Sequence, residues 1–508
     1  MSDHFDSCLN PLFIRELRRF VRNRFIIILI NLFIAVLVLA AIIGLLQETV
    51  TSGNFRFSSG YGQNLFFVFM MIFILACFPT VILYSASAAA AERINEDLMY
   101  ISTISPFSIV AGRLLNGALM TLLLMSITFP FITLAYMLRG LDIEFVAIWL
   151  IQVFVVIQVI NAAMVAVFSS FRQKANIAGA WVAGGIIMFF GFFWIINLMA
   201  MLFWHGPVGA SSSWNTVLLS LIGGGSLFAI FFVAGMSVIA PDTSNRATPL
   251  RVLFTVLFVF YALVTGLSIH IGMSAPMDIE VFSALVCTFL IVLLLSITTE
   301  RDTWSLRIKK MVPRRYLLRT VLFPFFTGAP CGIAWFFGVV GVLFLMNCIA
   351  FTGSVELHAF YFLLYAFDFC ATALLIRALF RFKSKMAGPI IALLLLLFCT
   401  LGSLLLFYLF YGFDSIGRAD YSTSDFAALN LFMVFDYRVT TMNFNGSNFD
   451  VPVQFYSAAI WAMILLPCLL VWFAIRVRQF SPRALADAIT LEQAIEIIHE
   501  EERKPFQR

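Results

Sequence analysis

The residue types that carry most enzyme chemistry are present in this sequence, but they do not stand at the spacings that catalysis requires. The five histidines lie far apart, and none belongs to a His-Glu-x-x-His zinc motif. The chain has no Gly-x-Ser-x-Gly turn that would expose a nucleophilic serine. Its eight cysteines include no Cys-x-x-Cys pair. The sequence therefore predicts no zinc peptidase, no serine hydrolase and no metal site.

ATP hydrolysis requires a glycine-rich loop that ends in Gly-Lys-Ser or Gly-Lys-Thr and cradles the phosphates. Each of the six lysines follows a residue other than glycine, namely Gln173, Ile308, Lys309, Phe382, Ser384 or Arg503. We therefore expect a chain that is not an enzyme and binds no cofactor itself.

One carboxylate, Asp368, stands in the middle of a long apolar run. A charged side chain is costly in hydrocarbon unless it faces protein or water. Asp368 is thus either a substrate or proton site, or a structural acceptor bonded to a neighbouring helix. We expect Gln152, Gln158, Asn161 and Asn197 to form hydrogen bonds between helices.

The elements that must position these residues follow from the composition, which is 62% hydrophobic and only 12% charged. Lipid offers no hydrogen-bond partners to the backbone, so continuous apolar runs of about 20 residues must form helices. The sequence predicts an all-α bundle of about twelve transmembrane spans. These cover residues 25–46, 63–90, 109–137, 145–169, 177–203, 215–239, 251–272, 280–298, 330–352, 357–379, 387–412 and 455–476.

The basic residues predict the orientation of these spans, because Lys and Arg concentrate in cytoplasmic segments. With twelve spans, 28 of the 32 basic residues fall on one side, and only Arg56, Arg139, Arg418 and Arg438 fall on the other. Both termini are therefore expected in the cytoplasm, and the protein is expected in an inner membrane. The net charge of +5 is too small to predict nucleic-acid binding.

The amino-terminal segment has the pattern of a helix lying on the membrane surface. Asn10 and Pro11 form a capping residue and a first helical residue. Apolar side chains follow on one face, and Arg15, Arg18, Arg19 and Arg22 follow on another. Glu16 belongs to the same entry helix. This pattern predicts an interfacial entry helix on an anionic cytoplasmic leaflet. An ordinary basic flank of the first span is the alternative.

The segment between the second and third spans carries the polar residues Glu92, Arg93 and Glu96. Ser105 and Pro106 then read as the cap and first residue of the next helix. The polar turn is therefore expected to be exposed in the cytoplasm.

Together these residues resemble the type-2 permeases of ATP-binding cassette (ABC) exporters over roughly residues 10–250. The resemblance rests on Asn-Pro-x-x-x-Arg-Glu-Leu-Arg in the entry helix, Glu92-Arg93, Ser105-Pro106 and Gly-Arg-Leu-Leu around Arg113. It implies that the entry helix and a coupling helix contact a separate ATP-binding subunit, which would bind the ATP and Mg²⁺. The coupling residues would be Glu92, Arg93, Glu96, Ser105, Pro106 and Arg113.

The expected organisation is a six-span permease-like domain over residues 1–250 and a second six-span membrane region over residues 251–479. The second region contains an external loop at 413–453, and a cytoplasmic tail follows at 480–508. Many family members stop after six spans, so the second region is either a duplication or an extension. Glu300-Arg301 faintly echoes Glu92-Arg93.

The resemblance implies the permease subunit of an ABC transporter, with export as the expected direction. Its partners would be the ATP-binding subunit, a second permease subunit that is identical or different, and the lipid bilayer. Lipids, polysaccharides, peptides and drugs are all substrates that suit an apolar pathway. A polytopic scaffold or assembly factor that does not transport is the alternative from a different class.

Overall fold

A computed structural model of the 508-residue chain describes residues 24–52, 61–94, 105–138, 141–170, 184–185, 210–240, 244–271, 279–300, 304, 306–313, 315–350, 354–356, 358–380, 390–392, 394–395, 398–399, 441–443 and 453–480. The chain divides into two compact units, Met1–Pro241 and Asp242–Arg508. The boundary lies in the polar connector that follows the sixth predicted span.

Five long helices are described in the first unit: α1 (Arg24–Ser52), α2 (Tyr61–Ile94), α3 (Pro106–Met137), α4 (Ile143–Ser170) and α5 (Ala210–Ile239). Their sequences are apolar around most of the helix circumference, as expected where lipid replaces water. Pro79 lies inside α2 and Pro130 inside α3. Membrane helices tolerate such prolines, because neighbouring helices and hydroxyl side chains satisfy the freed backbone groups.

Helix α4 is the centre of the first unit and packs against α2, α3 and α5. Trp149 of α4 is fully buried. Its ring lies edge-on to Phe66 and Phe67 of α2, with centroid distances of 6.5 and 5.8 Å. Helix α1 packs against α2 and α3 and leaves most of its aliphatic side chains exposed. These side chains are suited to contact with lipid tails.

The second unit contains α6 (Ala247–Ile271), α7 (Ile279–Thr298), the short helices α8 (Leu306–Met311) and α9 (Tyr316–Leu322), a 3-10 turn (Phe323–Phe325), α10 (Ala329–Ala350), α11 (His358–Leu379) and α12 (Val453–Gln479). Helix α7 packs against α10 and α11, and α11 packs against α12. Two three-residue strands, β1 (Ser354–Glu356) and β2 (Thr441–Asn443), form an antiparallel ribbon in which Val355 is opposite Met442.

Eight helices among the described residues are long and apolar enough to cross a membrane, namely α1 to α6, α10 and α12. The prediction of a multi-pass helical membrane protein is therefore confirmed. Helices α7 and α11 coincide with two further predicted spans, 280–298 and 357–379. The remaining two predicted spans, 177–203 and 387–412, lie mostly outside the described residues.

Candidate functional site

The start of α3 follows the predicted coupling segment and has the cap that the sequence predicts. Ser105 is extended, and its Oγ accepts a hydrogen bond from the backbone N–H of Ser108 at 3.3 Å. Pro106 is the first helical residue, where its missing N–H costs nothing. The cap fixes the residue at which the chain enters α3. The ring of Phe107 lies 5.3 Å from that of Phe232 in α5.

Arg113, a predicted coupling residue, lies inside the helix bundle, with only 2% of its surface exposed. Its Nη1 donates to the Oγ of Ser169 in the last turn of α4, at 2.8 Å. A cation in this position also interacts favourably with the carbonyl end of the helix dipole. Arg113 therefore ties the start of α3 to the end of α4 and does not present its charge on the surface of this chain.

Two more polar contacts join α3 to α4, further along α3 than the Arg113–Ser169 pair. Asn161 Nδ2 donates to the backbone oxygen of Leu114 at 3.4 Å, and Gln158 Nε2 donates to Thr121 Oγ1 at 3.2 Å. The predicted interhelical role of Gln158 and Asn161 is thus confirmed. Gln152 is buried, and its Oε1 has no hydrogen-bond partner among the described residues. Asn197 lies outside the described part of the chain.

The same end of the first unit contains an apolar cluster that adds α5 to this connection. Its buried members come from the start of α3, the end of α4 and the end of α5: Ile109, Val110, Leu114, Ala162, Val165 and Ile239. Three helix ends are therefore packed together where the predicted coupling segment joins the bundle. A displacement of the first turn of α3 would be passed to α4 and α5 through these contacts.

The second unit contains a largely buried ion pair that was not predicted from the sequence. Arg251 Nη2 lies 2.5 Å from Glu300 Oε1, and the two side chains are 3% and 11% exposed. Arg251 Nη1 also donates to the backbone oxygens of Pro324 and Phe326, at 3.0 and 2.5 Å. The other carboxylate oxygen of Glu300 accepts from the N–H of Gly328 at 2.6 Å. The pair joins the start of α6, the end of α7 and the approach to α10.

Gly328 has a φ of +141°, a conformation that side-chain-bearing residues rarely adopt. Trp304 Nε1 donates to the oxygen of Thr327 at 2.6 Å, and a Cβ on Gly328 would lie 3.0 Å from that nitrogen. Asn245 Oδ1 accepts from the N–H of Thr327 at 2.8 Å. The turn before α10 is therefore held by side chains from two other segments.

Two further contacts bring the ends of α11 and α12 to this same end of the second unit. Arg377 of α11 donates to the backbone oxygen of Thr298, the last residue of α7. Phe480, which follows α12, packs against Trp304, Phe323 and Phe326, with ring centroids 5.0 to 5.2 Å apart. We call this end, defined by Arg251, Glu300, Gly328, Arg377 and Phe480, the network end of the second unit.

Asp368 lies in α11 and is completely buried. Neither of its carboxylate oxygens has a hydrogen-bond partner among the described residues. The neighbouring aromatic residues of α11 pack against other helices: Phe367 lies 6.0 Å from Phe336 of α10, and Phe369 lies 5.2 Å from Trp461 of α12. The donor that a structural acceptor would need is not among the described side chains.

The other predicted site residues are largely outside the described side chains. Glu92 and Arg93 belong to the last turn of α2, which continues to Ile94. Glu96 and the entry-helix residues lie outside the described part of the chain, namely Arg15, Glu16, Arg18, Arg19 and Arg22. Among the described residues, no group of three His, Cys, Asp or Glu side chains is arranged to hold a metal ion.

Comparison of the chain with family models, with curated proteins and with solved structures finds no match. The resemblance to type-2 permeases thus rests on the sequence motifs alone. The described geometry adds how the helices are connected: in each unit, polar and apolar contacts join several helix ends at one end of the bundle.

Proposed function

We propose that the chain is the membrane-spanning permease subunit of an ABC exporter in an inner membrane. A separate ATP-binding subunit, which carries the ATP and Mg²⁺, would drive it through the segment from Glu92 to Phe107. A second permease subunit would complete the transport pathway. The mechanism is alternating access, in which closure of the ATP-binding subunits moves the coupling segment and the helices attached to it.

The observation that carries the proposal is the attachment of the coupling segment to the bundle. The segment is continuous with α2 on one side and α3 on the other, and these two long helices pack against each other. The start of α3 is also bonded to α4 by Arg113 and Ser169. A force on the segment would therefore act on three helices, which is the connection that an externally driven permease needs.

The directions of the described helices support a count of twelve spans. A Cβ on Gly224 would contact Val155, and one on Gly235 would contact Ala166, so α4 and α5 run parallel. The proposed topology therefore has an odd number of crossings between α4 and α5. The predicted span 177–203 would supply one such crossing.

The same reasoning applies in the second unit. Helix α11 ends near Thr298, whereas β2 pairs with β1, which precedes the start of α11. The proposed topology therefore has a return across the bundle between α11 and β2, which the predicted span 387–412 would supply. Ten long described helices and these two crossings give twelve spans. An even number of spans is consistent with both termini in the cytoplasm.

Identification of the polypeptides that co-purify with the tagged chain tests the proposal, and a P-loop ATPase without spans of its own is the expected partner. The double variant Glu92→Lys/Glu96→Lys should reach normal abundance but retain less of that partner. A reversed charge at an interface becomes a like-charge contact that costs several kcal/mol. The matched control is Asp420→Lys/Asp425→Lys, in the predicted external loop, which should retain the partner fully.

Substrate-stimulated ATP turnover of the reconstituted complex should fall in parallel with partner retention. Full retention and full turnover in the Glu92→Lys/Glu96→Lys variant would exclude this segment as the coupling site. A stable complex that contains no ATPase would instead favour the scaffold or assembly-factor alternative.

A further inference from the structure

The segment between α7 and α10 carries two short helices that are fixed to the network end of the second unit. Ile308 of α8 and Val312 after it are buried in a cluster with Trp304, Phe323 and Phe480. The bonds from Arg251 to the Pro324 and Phe326 oxygens hold the turn that follows α9. We call residues 306–322 the α8–α9 platform. It is attached to the bundle on its inner side.

The outer side of the platform is apolar. Leu317, Leu318, Val321 and Leu322 are all exposed, with Leu317 at 77% and Val321 at 66%. These four positions fall on one face of α9, because residues i, i+1, i+4 and i+5 are neighbours on a helix. Four exposed aliphatic side chains in a seven-residue helix form a patch that water solvates poorly.

The charge of the same stretch has one sign. Residues 305–328 contain no acidic residue and six basic ones, namely Arg307, Lys309, Lys310, Arg314, Arg315 and Arg319. Among the described side chains, Lys310 and Arg315 are exposed. Arg315 is the N-cap of α9 and Arg319 lies one turn later, so both are on the same side of the apolar face, next to its Leu322 edge. The platform therefore combines an apolar face with a basic border.

The position of α9 along the chain brings this surface to the edge of the membrane. The 3-10 turn follows α9 directly, and α10 begins at Ala329, the first residue of a candidate membrane span. A short helix with an exposed apolar face and flanking arginines, beside the start of a span, has the properties of an interfacial helix. Its basic border complements the negative charge of anionic headgroups.

We propose that the α8–α9 platform is a docking surface for anionic phospholipids. Leu317, Leu318, Val321 and Leu322 enter the acyl edge of the leaflet. Lys310, Arg315 and Arg319 approach the headgroup phosphates. This binding site is independent of the proposed transport function, because it requires only the second unit and a bilayer.

The test measures lipid selectivity of the full chain reconstituted in phosphatidylcholine, with spin-labelled phosphatidylglycerol or spin-labelled phosphatidylcholine as the probe. The wild-type chain should associate more strongly with phosphatidylglycerol, and added salt should weaken this preference. Replacement of basic residues in Lys310→Gln/Arg315→Gln/Arg319→Gln should lower the ratio of the two association constants. The loss should approach about fivefold for each residue, or about 1 kcal/mol.

The matched control, Arg139→Gln/Arg418→Gln/Arg438→Gln, removes the same charge from the predicted opposite side and should keep the preference. The apolar variant Leu317→Gln/Val321→Gln should also lower association with phosphatidylglycerol. If the triple variant does not fold, Lys310→Gln alone and the salt titration of the wild-type chain are measured instead.

Equal association of both lipids with the wild-type chain would overturn the proposal, and so would an unchanged preference in the platform variants. A platform variant that keeps its lipid preference but loses a co-purifying protein would show that the surface docks a protein instead. The lipid measurement uses the purified chain alone, so its outcomes do not depend on whether the chain couples to an ATPase.

Discussion

Arg251 and Glu300 form an ion pair whose burial is offset by additional hydrogen bonds. Taking two charges out of water costs several kcal/mol for each ion, and attraction between them repays this only when the remaining donors and acceptors are also satisfied. Here the guanidinium donates to two backbone oxygens and the carboxylate accepts from the Gly328 N–H. The pair therefore fixes the relative positions of three chain segments.

Removing both partners should cost less stability than the two single removals added together. Arg251→Met leaves the largely buried Glu300 carboxylate without its cation, and we expect a loss of about 3 kcal/mol in the free energy of unfolding. The double variant Arg251→Met/Glu300→Gln should lose less than the sum of the single variants. Unfolding in mixed micelles with increasing denaturing detergent measures these values. Lys310→Gln, at an exposed position, is the control and should change stability by less than about 0.5 kcal/mol. Strict additivity of the Arg251→Met and Glu300→Gln effects would show that the two side chains do not interact.

Asp368 allows a second prediction at this scale. A carboxyl group that is buried in an apolar helix without a described donor is disfavoured in its ionised form. Asp368→Asn keeps the shape of the side chain and removes the charge, so we expect stability within about 1 kcal/mol of wild type. Asp368→Lys should reduce the amount of folded protein. Normal stability of Asp368→Asn together with lost transport would assign this carboxyl to the transport path.

At the scale of elements, α4 and α5 approach closely because small residues line their contact. Gly224 of α5 is the tightest position, since a Cβ there would lie 2.3 Å from Val155 Cγ1. Valine has one strongly preferred rotamer in a helix and cannot easily turn away. The glycines on either side, Gly223 and Gly225, have no atom within 4 Å of such a Cβ. Three consecutive glycines therefore differ in what they contact.

This difference predicts opposite effects for the same substitution at adjacent positions. Gly224→Ala should destabilise the first unit by about 1–3 kcal/mol, because the methyl group overpacks the α4–α5 contact. Gly223→Ala and Gly225→Ala should leave stability unchanged or raise it by up to about 1 kcal/mol through helix propensity. Thermal unfolding of the three variants in one detergent compares them directly. Equal effects at all three positions would mean that the close approach of α4 and α5 is absent.

Helices and local caps were predictable from the sequence, whereas contacts between distant segments were not. The spans predicted at 109–137 and 145–169 correspond to α3 and α4, because lipid forces apolar runs to satisfy their own backbone hydrogen bonds. The cap at Ser105 is local and was predicted. The contact of Arg251 with Glu300 joins residues 49 positions apart, and no local pattern reports it.

Two kinds of element in the second unit escaped the sequence analysis. The segment between the predicted spans 280–298 and 330–352 had no predicted helix, but it contains α8 and α9, whose helical turns are too short for a periodic signal. Strands β1 and β2 have three residues each, and their pairing depends on the fold of the chain between them. The burial of the Arg113 side chain was also not predicted, because it depends on the packing of α3 against α4.

For the molecule as a whole, the β1–β2 ribbon and the network end constrain the topology of the second unit. The network end gathers the start of α10 and the ends of α7, α11 and α12, whereas β1 precedes the start of α11. The ribbon and the network end therefore lie at opposite ends of α11. The concentration of basic residues predicts that the network end is cytoplasmic and the ribbon is external.

A disulfide across the ribbon tests both its register and its side of the membrane. Residues directly opposite in an antiparallel pair have Cα atoms about 4.5–5.5 Å apart, which a disulfide can span. Because Val355 is opposite Met442, the variant Val355→Cys/Met442→Cys should cross-link on oxidation in intact cells. Proteolysis at the basic residues 381–385 would then yield fragments that separate only after reduction.

Glu356→Cys/Met442→Cys is the matched control, because consecutive strand residues point to opposite faces and this pair should cross-link poorly. Each single variant controls for reaction with native cysteines.

A membrane-impermeant thiol reagent, added before oxidation, should block the link, since the ribbon is predicted to face the exterior. The same reagent should leave Ser305→Cys unlabelled. Protection of the ribbon cysteines together with labelling of Ser305→Cys would reverse the orientation, and with it the cytoplasmic position of the coupling segment on which the proposed function depends.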